Sequence, residues 1–230
     1  VRFADDGPTM TVSVTNEAGI LLTTQDAQTI GAATDTAVST ANFSNVFTRV
    51  MGPGADAPAN SVWSYALILA VAAGTDSGLD AGPNGAPIYL FDIGGVITGS
   101  TSSTLAGVNV GNTVFTIQVD NTGVVTLSQM SHIEHALPGV TTNFEAQLAT
   151  LANGLVQLQA TSTITDADGD VASDSEVIDL GGNIQFADHG PMLTAPVTNI
   201  DTLTGGTTGS GNFAFNVGAD RDATADLTDN

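Results

Sequence analysis

The chain of 230 residues carries 24 acidic side chains and only three basic ones, which gives a formal net charge of −21, and it contains no cysteine. With 42% hydrophobic and 12% charged residues it is too apolar for an acidic disordered segment, and its charge excludes nucleic acid as a partner because phosphates bind to basic patches. Disulfides and thiolate metal sites are excluded, and the longest apolar run, residues 62–73, is too short for insertion into a membrane.

Short strands separated by turn signals dominate the sequence. In chain order, strands are predicted at Val62–Val71, Ile88–Phe91, Gly95–Ile97, Thr113–Val119, Val124–Ser128, Leu155–Ile164 and Val171–Ile178. Residues 74–85 are predicted to form a surface loop. One short helix is expected from Thr142, because Thr142 and Glu145 fit a capping box and apolar residues follow at helical spacing. The pattern predicts an all-β fold, an Ig-like, Greek-key β-sandwich.

The chain also repeats itself. Residues 1–8, VRFADDGP, recur as residues 184–191, IQFADHGP, and two later echoes link residues 42–43 to 212–213 and residues 54–56 to 218–220. This self-similarity predicts one complete repeat over residues 1–183 and the opening part of a second over residues 184–230. Since there is no initiator methionine, we interpret the chain as an excerpt from a tandem array.

The clearest signal for a binding site is the acidic segment that begins at residue 166. Asp166, Asp168 and Asp170 alternate with small residues, and Asp174 and Glu176 follow. Oxygen ligands two residues apart around a glycine bend can converge on Ca²⁺, which takes six to eight oxygens. The spacing is not that of an EF-hand. A solvated acidic turn without a bound ion is the alternative interpretation.

A second candidate calcium site lies at the predicted repeat boundary. Asp5 and Asp6 precede a Gly-Pro pair, and Asp188 stands in the corresponding position of the second copy, where His189 replaces Asp6. A tight turn would account for the same residues. Both interpretations are compatible, because a cation bound at a module junction would stiffen the bend.

Enzymatic signatures are weak by comparison. The segment His132-Ile133-Glu134-His135 resembles half of a metal site but lacks the i, i+4 histidine pair of zinc proteases, so a structural role is favoured. There is no lysine for a phosphate-binding loop and no nucleophile elbow. Paired carboxylates for glycoside hydrolysis would arise by accident among 24 acids.

Taken together, these residues resemble the long repeat of giant adhesins and repeats-in-toxin (RTX) proteins that bacteria export by type I secretion. The resemblance runs from Trp63 to Pro191 and rests on residues 114–117 (VFTI), 123–127 (GVVTL), His135 and, above all, residues 165–170 (TDADGD) and 184–191. It implies a non-enzymatic β-sandwich spacer module, secreted or on the bacterial cell surface as in biofilm-associated proteins, and stiffened by Ca²⁺.

The partners that this interpretation predicts are neighbouring repeats. Residues 184–230 hold too few apolar positions for a core of their own, so we expect them to dock as added strands on a neighbouring module, in the same chain or head to tail in another molecule. Packing back on their own domain is the alternative. A different functional class, a calcium-dependent adhesin domain that recognises a sugar or a host or matrix protein through the loop at residues 76–85, also stays open.

Overall fold

The computed structural model describes residues 6–30, 35–55, 59–82, 85–135, 144–190, 192–193 and 215–216. The fold is all-β and sandwich-like, as predicted. The strands are β1 (Thr9–Val14), β2 (Leu22–Gln25), β3 (Ala37–Asn42), β4 (Phe47–Gly52), β5 (Asn60–Leu69), β6 (Thr75–Ala81), β7 (Ala86–Ile93), β8 (Val96–Ser100), β9 (Thr113–Val119), β10 (Val124–Gln129), β11 (Leu148–Thr150), β12 (Val156–Thr165), β13 (Val171–Asp179), β14 (Ile184–Ala187), β15 (Met192–Leu193) and β16 (Phe215–Asn216). Short 3₁₀ turns lie at Asp26–Thr29, Ser44–Val46, Leu105–Gly107 and Phe144–Ala146.

One layer of the sandwich is a six-stranded antiparallel sheet in the order β3-β10-β9-β8-β7-β6. Strands β6 to β10 follow one another as a meander, and β3 joins at the β10 edge. The β9–β10 hairpin forms as its alternating sequence predicts, with Phe115, Ile117 and Leu127 fully buried on one face. Such alternation is what a sheet with one face on a core requires.

The opposite layer consists of smaller sheets. Strands β13, β12 and β5 form one sheet, β1 and β4 another, and β2 lies parallel to β14, which also pairs with β11. Val156, Leu158 and Ala160 alternate along β12 and are buried in a core that also contains Phe115 and Phe186. The rings of these two phenylalanines lie 5.2 Å apart and link β9 to β14.

Two local predictions are wrong. The surface loop predicted at residues 74–85 is largely strand β6, in which Ser77, Leu79 and Ala81 are buried. The helix predicted from Thr142 is limited to a 3₁₀ turn at Phe144–Ala146, and residues 148–150 form β11 instead. Residues 142–143 lie outside the described part. Pairing with β14, 36 positions further along the chain, overrides the local helical spacing here.

Strand β14 belongs to the first unit. Ile184 and Phe186 are fully buried, and β14 pairs with both β2 and β11. A boundary between residues 183 and 184, as predicted from the sequence, would cut this strand from its sheet. The first unit therefore includes β14 and extends at least to Asp188, whose N–H donates to the Gln147 carbonyl.

The two strands described beyond residue 191, β15 and β16, pair with each other in the register of the β1–β4 ladder. Met192 faces Asn216 and Leu193 faces Phe215, just as Thr9 faces Gly52 and Met10 faces Met51 in the β1–β4 ladder. The first strand is displaced by 183 residues and the second by 164, which are the displacements of residues 1–8 and of residues 54–56 between the two copies. The rest of the predicted docking tail lies outside the described residues.

Candidate metal sites

The acidic loop, residues 166–170, closes the hairpin between β12 and β13, whose last pair is Thr165 and Val171. Asp166 organises it. Its N–H donates to the Asp170 carbonyl at 3.1 Å, and its Oδ1 accepts hydrogen bonds from the N–H groups of Gly169 at 3.1 Å and Asp170 at 2.8 Å. Gly169 adopts a φ of 103°, a backbone conformation that residues other than glycine rarely adopt. The loop is thus folded around one carboxylate.

Three carboxylates converge in this loop. One oxygen from each of Asp166, Asp168 and Asp170 lies within 4.8 Å of the others. Asp166 is buried, and its second oxygen, Oδ2, accepts no hydrogen bond. The Asp166 carboxyl, close enough to share a proton, raises the pKa of the exposed Asp168 side chain, and the charges of Asp166 and Asp170 add to the effect. This is a cluster of like charges that either a proton or a cation would relieve.

The other residues predicted as calcium ligands are distributed over the fold. Asp6 is exposed, and the neighbouring Gly7 lies against the acidic loop, since a Cβ on Gly7 would be 3.6 Å from Asp170 Oδ2. Asp5 lies outside the described residues. Asp174 accepts a hydrogen bond from the Val12 N–H at 2.8 Å, and so ties β13 to β1.

Glu176 is exposed on β13, opposite Ala160. At about 3.3 Å per residue it is roughly 20 Å along the strand from Asp170. The structure therefore brings Asp166, Asp168 and Asp170 together and places Glu176 away from them.

Asp188 joins a second cluster with Asp26 and His135, which we call the Asp–His–Asp cluster. Asp26 directly follows β2 and Asp188 directly follows β14, and these parallel strands end in register, with Gln25 paired to Ala187. The two aspartates consequently emerge side by side. His135 comes from the segment after β10. Ligand atoms of the three residues lie within 4.8 Å of one another.

The Asp–His–Asp cluster is buried. The side chains of Asp26, His135 and Asp188 are 0%, 4% and 7% exposed. His135 Nδ1 lies 3.5 Å from Asp26 Oδ2 and 3.8 Å from Asp188 Oδ1. Asp26 Oδ1 accepts hydrogen bonds from Gln129 Nε2 and from the Ile133 N–H. The neighbouring His132 is outside the cluster, and burial lowers its pKa.

The two clusters lie toward opposite ends of the sandwich. The start of β5 pairs with the end of β12, beside the acidic loop. The other end of β5 leads within five residues to Gly74, whose N–H donates to the Leu90 carbonyl at 2.8 Å. Leu90 belongs to a cross-strand row that ends at Gln129, the residue bonded to Asp26.

Comparison with known proteins gives one match. Residues 9–181 match a family described as a domain of unknown function, DUF5801. The chain belongs to the DUF5801 family. No curated protein and no solved structure matches it. Among the described residues of this DUF5801 chain, no helix is long and apolar enough to cross a membrane.

The match begins at β1 of the DUF5801 domain and stops three residues before β14. Sequence reasoning found the acidic loop because its ligands are neighbours in the chain. It missed Asp26, and it treated His135 as structural, because no local spacing links these two residues to Asp188. Asp188 directly follows the apolar residues of β14, but Asp26 follows the polar residues Thr23, Thr24 and Gln25, so the sequence carries no comparable signal for Asp26.

Proposed function

We propose that this DUF5801 domain is a non-enzymatic structural module of a bacterial secreted or cell-surface adhesin, arranged in tandem and stiffened by Ca²⁺. The resemblance to RTX adhesin repeats supports the extracellular location. The observation that carries the proposal is the proximity of the acidic loop to Gly7, at which an added Cβ would lie 3.6 Å from Asp170 Oδ2, because Gly7 lies just before the first strand of the module. A cation held by the loop at this point limits how the preceding segment can move.

The donor set suits Ca²⁺. Asp166, Asp168 and Asp170 offer only oxygen, and the free Oδ2 of buried Asp166 points to a missing partner. Hard oxygen ligands in a loop that closes on a glycine bend are what Ca²⁺ prefers. The ion would neutralise the charge repulsion that raises the pKa of Asp168.

Tandem arrangement has independent support from the register of β15 and β16. In the described residues after 191, the pairs Met192–Asn216 and Leu193–Phe215 repeat the register of Thr9–Gly52 and Met10–Met51. At such a junction, the Asp–His–Asp cluster closes one module, and Gly190 and Pro191, the counterparts of Gly7 and Pro8, begin the next. The Asp–His–Asp cluster of one module and the acidic loop of the next module would then both lie close to the short linker between the two modules.

The alternative function, a calcium-dependent adhesin domain that recognises a sugar or a protein, loses its main support. The loop at residues 76–85, which was to recognise the ligand, is mostly strand β6 with buried side chains. Head-to-tail association through residues 184–230 remains a proposal for residues 192–230 alone, since β14 is part of the first unit.

Amide hydrogen exchange with and without Ca²⁺ tests the proposal at residue level. When Ca²⁺ is added to the metal-free protein, we expect the amides of Gly7, Gly169 and Asp170 to exchange more slowly. The Asp168→Asn variant should lose this protection, and Glu176→Gln, which alters an exposed carboxylate away from the loop, should keep it. Unchanged exchange at all three amides in the wild type would refute the calcium-stiffened entry.

A further inference from the structure

The orientation of the His135 ring restricts what the Asp–His–Asp cluster can do. Nε2 lies 2.9 Å from the carbonyl oxygen of Phe186. A carbonyl only accepts hydrogen bonds, so Nε2 carries the hydrogen. In the neutral imidazole the lone pair is then on Nδ1, which faces the carboxylates of Asp26 and Asp188. Three acceptors that face one another in a buried space repel unless a positive charge lies between them.

We propose that Asp26, His135 and Asp188 bind a divalent transition-metal ion, with Zn²⁺ as the reference ion, through His135 Nδ1 and one oxygen of each aspartate. His135 Nδ1 and Asp188 Oδ1 are buried and have no hydrogen-bond partner. Their separation is 3.8 Å, and that of Nδ1 and Asp26 Oδ2 is 3.5 Å. Adjacent ligands around tetrahedral zinc lie about 3.4 Å apart, given metal–ligand bonds of about 2.0–2.1 Å.

The surroundings have the features of a prepared metal site. A histidine that binds a metal usually donates its other ring N–H to a carbonyl or carboxylate, which fixes the tautomer, and His135 does so to Phe186. Asp26 is held in turn by Gln129 and Ile133. A divalent ion would cancel the two carboxylate charges, so the buried cluster would become neutral.

The chemistry distinguishes this site from the acidic loop. An imidazole nitrogen suits Zn²⁺ and similar ions, whereas Ca²⁺ selects oxygen. The Asp–His–Asp cluster is also locked at the end of the module, because the Asp188 N–H donates to the Gln147 carbonyl at 3.1 Å. A metal there would connect β2, β14 and the segment after β10. The competing state is a protonated His135 shared by the two carboxylates without a metal.

Calorimetric titration of the metal-free 230-residue chain with Zn²⁺ and nitrogen-15 NMR of the histidines test the proposal. We expect one Zn²⁺ to bind, the unfolding midpoint to rise, and Nδ1 of His135 to show the shift of a metal-bound nitrogen while Nε2 keeps its hydrogen. His135→Gln should bind Zn²⁺ more than about 100-fold more weakly. The matched variant His132→Gln, three residues away, should bind as the wild type does.

Several outcomes would overturn the proposal: no stoichiometric Zn²⁺ binding to the folded wild type, equal binding by His135→Gln, or a His135 ring that stays protonated at both nitrogens with Zn²⁺ present. The NMR measurement uses the wild type, so it decides even if His135→Gln does not fold. Asp168→Asn should leave Zn²⁺ binding unchanged, which separates this result from the calcium experiment.

Discussion

Gly7 lies against Asp170, with the position of a Gly7 Cβ 3.6 Å from the Asp170 carboxylate oxygen Oδ2. The two residues are 163 positions apart in the sequence. Their proximity places the segment before β1 beside the hairpin loop between β12 and β13. A cation bound by that loop, as proposed, would therefore lie close to the segment before β1.

Calcium binding should weaken as the pH falls. The pKa of Asp168 is raised above its usual 3.8 by Asp166 and, to a smaller extent, by Asp170. In the metal-free protein, folding favours the protonated form of Asp168. The stability that this protonation contributes to the folded state is lost as the pH rises through the raised pKa. Ca²⁺ needs the carboxylate, so we expect its affinity, measured by calorimetry, to decline as the pH is lowered toward that pKa.

Asp168→Asn should produce a reversal that depends on the metal. Without metal at pH 7, this variant removes like-charge repulsion, so its unfolding midpoint should be at or above that of the wild type. With Ca²⁺ the wild type should be more stable. A variant that is less stable than the wild type under both conditions would mean that Asp168 has another structural role.

Asp174 should act as a tie between strands and not as a calcium ligand. Its carboxylate accepts the Val12 N–H of β1 at 2.8 Å. Replacement by Ala leaves that partly buried N–H without an acceptor and should cost about 1–3 kcal/mol of unfolding free energy. Asp174→Asn keeps an acceptor and should cost less. Denaturant unfolding gives both values, and Ca²⁺ affinity should match the wild type in the Asn variant.

The position of the module boundary can be tested by truncation. A chain that ends at residue 183 lacks β14 and so loses Ile184 and Phe186 from the core. Loss of one buried Phe side chain alone costs about 3–5 kcal/mol, so we expect this chain not to fold. A chain that ends at residue 191 retains β14 and should unfold at the same temperature as the first unit does in the 230-residue chain. Circular dichroism during heating distinguishes the two, and equal stability would place the boundary back at residue 183.

Gly169→Ala should damage the acidic loop. The φ of 103° at Gly169 strains any other residue, at a cost of about 1–3 kcal/mol, and the N–H groups of Gly169 and Asp170 hold Asp166 in place. Both stability and Ca²⁺ affinity should fall. Gly19→Ala is the matched control, because its Cβ would meet open space and its φ is ordinary. Comparable losses in both variants would contradict a specific role for Gly169.

Local patterns predicted much of the fold. The alternation of residues 113–119 and the turn residues after them lead directly to the β9–β10 hairpin. The predicted helix failed because Leu148–Thr150 finds its partner in β14, a contact that no local spacing reveals. The segment 74–85 has the glycine and proline content of a loop, yet β6 forms there along the edge of the six-stranded sheet beside β7.

The candidate sites divide in the same way. The acidic loop is visible in the sequence because its three aspartates lie within five residues. Asp26 and Asp188 are 162 residues apart, and they meet only because β2 and β14 are parallel neighbours in register. Such pairing is set by the packing of the whole sandwich, which is why the Asp–His–Asp cluster could not be predicted from the sequence.

The most direct test of the central claim is the unfolding midpoint of the metal-free chain with and without 10 mM CaCl₂. With a dissociation constant of about 0.1 mM, in the range typical of extracellular calcium modules, this excess stabilises the folded state by about 2.7 kcal/mol. For a domain of this size the midpoint should rise by roughly 5–10 °C. The rise should be absent in Asp166→Asn and Asp168→Asn and retained in Glu176→Gln. An unchanged wild-type midpoint would contradict the calcium-stiffened module.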